Sequence, residues 1–180
     1  MVASVGFNPG HGGPGNPPWF SFELDEVDRA ILHELQADAR TTTAEEMGEE
    51  AGVSASTIRN RIERLEDVGV IEGYHPHIDY EAANYQLHLF IICRVSPDER
   101  AKLAEEALKI VGTVTVREML TGPSNLHIEA IAEDSAAVDT VTGKITDLGL
   151  EIMSTEIVKE EHVQPFNHFG PAPSTDEDEA

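Results

Sequence analysis

Hydrophobic positions along the chain keep two different rhythms. From residue 24 to residue 69, apolar side chains recur every three or four positions, the spacing of one helix face. Val27, Ala30, Ile31 and Leu35 predict a helix over 26–38, with Asp25 as its N-cap. Thr43 is placed to cap a second helix over 44–51, with Met47 and Ala51 turned inward. Val53, Ile58, Ile62 and Leu65 predict a third, capped by Ser54 and stopped near Val68 and Gly69. Gly52 permits a sharp turn between the second and third helices. Three short helices joined this way make a helix-turn-helix unit.

Residues 70–78 alternate but are broken by Gly73 and Pro76, which predicts a short strand or wing and then a linker. Beyond residue 86 the rhythm changes. Residues 87–95 are nearly all apolar and predict a buried strand. A helix over 98–111 follows, its inner face set by Ala101, Leu103, Ala104, Ala107, Leu108 and Val111. Strands are expected over 114–120 and 125–132, the latter with Leu126, Ile128 and Ala130 on one face. A helix over 135–148, with Val138, Val141 and Ile145 inward, and a strand over 152–163 complete the run. The order strand, helix, strand, strand, helix, strand is that of the ferredoxin-like split unit. The expected fold is therefore α+β: an N-terminal, winged helix-turn-helix followed by a C-terminal ferredoxin-like βαββαβ domain. The uncovered sheet face would carry Leu89 and Ile91 or their alternates, and a homodimer is the natural cover for it.

The domain plan follows. Residues 1–22, rich in Gly and Pro, read as a disordered extension; anchoring through Trp19, Phe20 and Phe22 is the other reading. Residues 23–73 form the helix-turn-helix domain, 74–86 a linker and 87–165 the ferredoxin-like domain. Residues 166–180 form an acidic tail.

Charge changes the picture. With 12 basic and 34 acidic residues the chain carries −22, which argues against nucleic acid as a partner. Locally the balance reverses: between 54 and 66, Arg59, Arg61 and Arg64 outnumber Glu63 and Glu66. Acid spread over the other segments suggests a surface adapted to a salty cytoplasm, where molar salt screens self-repulsion. The one cysteine, Cys93, lies in an apolar run; it reads as a small buried hydrophobe, with a redox sensor as the alternative. Cysteine scarcity, no membrane-length apolar run and no signal-peptide pattern point to a cytoplasmic protein without a membrane partner.

The third helix carries the candidate chemistry. Small hydroxyls, an amide and arginines facing outward suit the major groove of double-stranded DNA. The expected DNA-binding set is Ser54, Ser56, Thr57, Arg59, Asn60, Arg61 and Arg64. Asn60 and Ser56 point most directly away from the core and are assigned to base edges, with Thr57 and Arg64 flanking them. Arg59 and Arg61 are assigned to phosphates; an ion pair of Arg61 with an acid such as Asp28 is the alternative. Eight histidines, among them His75, His77, His162 and His168, complete no tetrahedral set, so no metal site is expected. No nucleophile elbow, phosphate loop or cofactor fingerprint occurs, so no catalytic residue and no cofactor is expected.

Together the two halves resemble the Lrp/AsnC family of transcriptional regulators. The segments that carry this are 24–32, 38–40 and 53–71, the last holding the capped, arginine-bearing helix and its Gly69-Val70-Ile71 exit, with Thr121-Gly122 as a later match. The resemblance covers residues 24–163. It implies dimers that assemble further, to tetramers or octamers, and an amino acid bound near the Thr-Gly loop. The effector-binding residues would then be Thr121, Gly122, Pro123, Ser124 and Asn125. The family pattern has Asp where this chain has Asn125, which supplies no charge for an amino group. An amino acid, another small neutral molecule and no effector at all therefore stand as alternatives. The acidic balance and the tails resemble a haloarchaeal member. Some relatives of this layout are haem-pathway decarboxylases, so a small-molecule-binding or enzymatic protein is the alternative function. The outward Ser56, Asn60 and Arg64 discriminate against it, because an enzyme has no use for them.

Overall fold

The computed structural model describes residues 22–169. They divide into two compact units. The first ends at Pro76 and takes up the chain again from Val163; the second runs from His77 to His162. Trp19, Phe20 and the acidic residues beyond 169 lie outside the described residues.

The first unit is helical. α1 spans Glu26–Asp38, α2 Ala44–Ala51 and α3 Ala55–Asp67. Capping side chains fix all three starts. Asp25 and Asp28 form a capping box, each side chain accepting from the other's backbone N–H, and Thr43 and Glu46 form a second. Ser54 Oγ accepts from Thr57 N at the start of α3. Ile31, Leu32, Met47, Ile58 and Leu65 are buried together, and Phe22, Val53 and Ile62 pack against them. The chain returns here at its far end. Phe169 packs on this core, and Phe166 N donates to Gln36 Oε1 at 3.2 Å.

The expected wing does not form, and no residue from 70 to 78 is in a strand. A strand needs a partner for its ladder, and Tyr74 is tied elsewhere, its hydroxyl donating to Glu66 at 2.8 Å. Burial foremost, with Glu66 beside it, pushes the Tyr74 phenol up to about 12.

The second unit is one antiparallel sheet with two helices. β1 spans Leu87–Arg94, α4 Arg100–Leu108, β2 Thr113–Glu118, β3 Leu126–Ala132, α5 Ser135–Asp147 and β4 Glu151–Ile157, with strand order β2-β3-β1-β4. Leu89, Ile91 and Cys93 alternate toward the helices and are buried with Leu126, Ile128, Ala130, Ala107, Val141 and Ile145. Their neighbours His88, Phe90, Ile92 and Arg94 take the other face, so the uncovered face is mixed rather than apolar. Cys93 is fully buried and desolvation pushes its thiol up to about 11, which removes the thiolate a redox sensor needs.

Three helix-face assignments are corrected: Ala101 is exposed in the first turn of α4, and two more fall at or beyond its end. Val111 lies beyond α4 and is 83 % exposed, and Leu108 is also exposed. The chain leaves the helix at Lys109 and turns at Gly112, whose φ is +100°, so Ile110 takes the inward place. β4 ends at Ile157 rather than 163, because its partner runs out. Ile157 pairs with Leu89, and Val158 N makes the last bond, to His88 O.

Candidate nucleic-acid interface

The turn that presents α3 rests on two glycines. Gly52 adopts φ +68°, left-handed backbone that suits Gly. Gly48 is needed for space: a Cβ there would stand 2.7 Å from Val53 O. The spacing read from sequence singled out Gly52 and missed Gly48, whose role depends on the close approach of the chain five residues on.

On α3, Ile58 and Leu65 are fully buried and the opposite face is open. Ser54, Ser56, Arg59, Asn60 and Arg64 are exposed, and Thr57 is half-buried. The three hydroxyls form a cluster, Ser54 Oγ lying 2.9 Å from both Ser56 Oγ and Thr57 Oγ1. Exposed Asn60 donates and accepts in no hydrogen bond of its side chain among the described residues, so its amide is available to a base edge.

The arginines differ from one another. Arg61 donates to Asp25 Oδ2 at 2.6 Å and to Asp28 Oδ1 at 3.0 Å, and its side chain is only 27 % exposed. The hydrogen bond to Asp25 foremost, with the two carboxylate charges, raises its pKa. The Asp28 N–H foremost, and Arg61, hold the Asp25 carboxyl below its usual range against partial burial. Arg61 therefore locks α3 to the start of α1, the ion pair given above as the alternative to a phosphate contact. Arg59 pairs with Glu45 at 2.5 Å, both side chains more than half exposed. Arg64 lies 4.5 Å over the Phe22 ring, a cation–π contact that leaves its edge donors free. Neither Glu45 nor Phe22 was legible as a partner, since helical spacing orders residues within one element only.

The Thr121–Asn125 segment is built differently from an open loop. Asn125 Nδ2 donates to Val95 O at 2.8 Å, while Val95 N donates to Asn125 Oδ1 at 3.0 Å. Asn125 N also donates to Cys93 O. The side chain thus extends the β1–β3 ladder by one step, with both its amide oxygen and its amide nitrogen engaged by Val95. Thr121, Gly122 and Pro123 are exposed and Ser124 half-buried. Among the described residues, no group of three or more His, Cys, Asp or Glu is placed to hold a metal, and no helix is long and apolar enough to cross a membrane.

Residues 24–66 match the model of the AsnC-type helix-turn-helix domain. The chain is 35 % identical over 117 residues to the leucine-responsive regulatory protein of Rhizobium meliloti, covering 64 % of this chain and 74 % of that one. It is 33 % identical over 137 residues to an HTH-type transcriptional regulator of Pyrococcus furiosus, covering 74 % and 87 %. Among solved structures, E. coli AsnC matches with a TM-score of 0.65 and 25 % identity over 81 % of this chain and 98 % of that one. The feast or famine regulatory protein of M. tuberculosis, solved in complex with L-methionine, shares the fold at a TM-score of 0.68 and 24 % identity, over 79 % of this chain and 96 % of that one. With a capped three-helix head, a βαββαβ second unit and these relatives, the chain belongs to the Lrp/AsnC family of DNA-binding transcriptional regulators.

Proposed function

We propose that α3 enters the major groove, with Asn60 and Ser56 on base edges, Thr57 and Arg64 flanking them, and Arg59 on phosphate. The observation that carries this is the contrast along one helix. Ile58 and Leu65 are sealed in the core, whereas Ser56, Asn60 and Arg64 stand exposed on the opposite side. Ser54 serves the cap, and Arg61 the internal lock. Two heads must be held at a fixed spacing to read a two-fold site, and the open sheet face carrying Phe90 and Ile92 supports pairing of two copies there. Assembly to tetramers or octamers builds on that pair.

The regulator acts in the cytoplasm and performs no catalysis; the relatives named as transcriptional regulators support this. An amino acid or another small molecule modulates it at the Thr121–Ser124 loop, a reading supported by the methionine complex of the M. tuberculosis protein. Because Asn125 is committed to Val95, contacts there fall to Thr121, Ser124 and the Gly122 backbone.

The test is a gel shift of the full chain on its own upstream DNA across a KCl series, with footprinting. Retardation with a two-fold footprint is expected. No retardation at any KCl concentration removes α3 from the groove.

A further inference from the structure

The second unit holds a pocket of about 610 Å³ that the DNA-binding reading leaves unused. It lies between the start of β2, the end of β3 and α5, and residues 121–125 take no part in it. Val111, Val114, Ile131 and Val141 give it apolar walls, and Tyr80 and Tyr85 stand beside them. Its size falls in the range of roughly 300–1,000 Å³ typical of small-molecule sites. Val111, Val114 and Tyr85 are exposed large hydrophobics, an unfavourable state for three neighbours unless something covers them.

Two charged side chains select the occupant. Lys144, one of only four lysines on this acidic chain, lines the pocket and makes no ion pair among the described residues. Glu133 lines the same pocket and repels a second negative charge. We propose that this pocket binds a small organic monocarboxylate with an aromatic or branched apolar body. The carboxylate pairs with Lys144 and the body fills the space between Val114, Ile131 and Val141. A free acid and an amino acid share this chemistry. The proposal stands apart from the DNA reading, because its test uses no DNA.

The test is a titration of the full chain by calorimetry and amide NMR with 3-phenylpropionate, 3-phenylpropionamide, succinate and L-phenylalanine. Saturable binding of 3-phenylpropionate is expected, with shifts at the Thr113, Val141 and Lys144 amides and no binding of succinate. The amide should bind up to about fivefold more weakly, the margin of one exposed ion pair, and Lys144→Gln should erase that difference. Thr140→Trp fills the pocket and should weaken the acid by about tenfold or more, with a melting curve as the check on folding. If that variant does not fold, the shift map and Lys144→Gln decide alone. L-Phenylalanine shifting the same amides supports the site and makes an amino acid the source. Absence of saturable binding, or shifts confined to residues 121–125, overturns the proposal. So does a dimer dissociated by Thr140→Trp with no acid bound, since a second copy then covers the face.

Discussion

The guanidinium of Arg61 closes on the carboxylate of Asp28 at 3.0 Å, and Asp28 is fully buried. A carboxylate taken out of water needs a partner, and removing that partner leaves an uncompensated charge. Arg61→Ala should therefore destabilise the helical unit by about 2–3 kcal/mol, the low side of a broken buried pair because Arg61 keeps some water. Urea denaturation followed by far-UV circular dichroism measures this. Asp25 adds a pH dependence whose sign is fixed by its lowered pKa. That contribution is present above the ordinary carboxylate range, near pH 4, and is lost as pH falls through the lower folded value. A stability profile of Asp25→Asn should accordingly be flatter between about pH 5 and 2 than that of the parent.

Gly48 and Gly52 separate two ways of needing a glycine. Gly48→Ala places a methyl 2.7 Å from Val53 O, backbone that cannot swing aside. Gly52→Ala meets nothing within 4 Å but must hold φ +68°. The first should cost about 1–3 kcal/mol by overpacking and shift α2 against α3. The second should cost about 1–2 kcal/mol with the interhelical geometry kept. Equal stability losses with identical amide spectra would contradict this division.

Most of the framework was legible from residue order. The capping residues Asp25, Thr43 and Ser54 announced the three helix starts, and each indeed accepts from the first turn. Leu126, Ile128 and Ala130 announced the inward face of β3 by strict alternation. Legibility ended where a residue's role depends on a distant partner. Arg59 and Glu45 are 14 positions apart, Asn125 and Val95 30 apart, and no periodicity links either pair. It also failed where a helix ended without a strong stop signal. Val111 fits the helical spacing, but the chain turns at Lys109 and Gly112, and Ile110 fills the core instead.

Asn125 bridges Val95 in both directions, which an amide can do and an ionised carboxylate cannot. N125D keeps the acceptor for Val95 N and turns the donor into a second acceptor facing Val95 O. The second unit should lose about 1–3 kcal/mol at neutral pH. Acid should return part of it, because a protonated carboxyl regains one donor. Denaturation at pH 7 and at pH 4.5 tests this, using the parent as the pH control. A loss equal at the two pH values would show that the donor to Val95 O is dispensable.

Arg59 has two suitors, and their competition can be read in DNA binding. Its guanidinium pairs with Glu45 at 2.5 Å on an exposed surface, an interaction worth little in salt. In the proposed complex, phosphate displaces that carboxylate before it gains the arginine. Glu45→Gln should therefore strengthen binding to every duplex alike, by up to about fivefold, and Arg59→Ala should weaken every duplex alike. Arg59→Ala should also flatten the dependence of log K on log salt by about one phosphate contact, close to 0.9 in slope. Asn60→Ala should do neither. On the proposed base-edge contact, its loss should cost about 1–3 kcal/mol at one position of the preferred site and leave the salt slope unchanged. Fluorescence anisotropy on the footprinted site and on a scrambled duplex separates these outcomes. Asn60→Ala weakening both duplexes equally, or Arg59→Ala leaving the slope intact, would reassign the two residues.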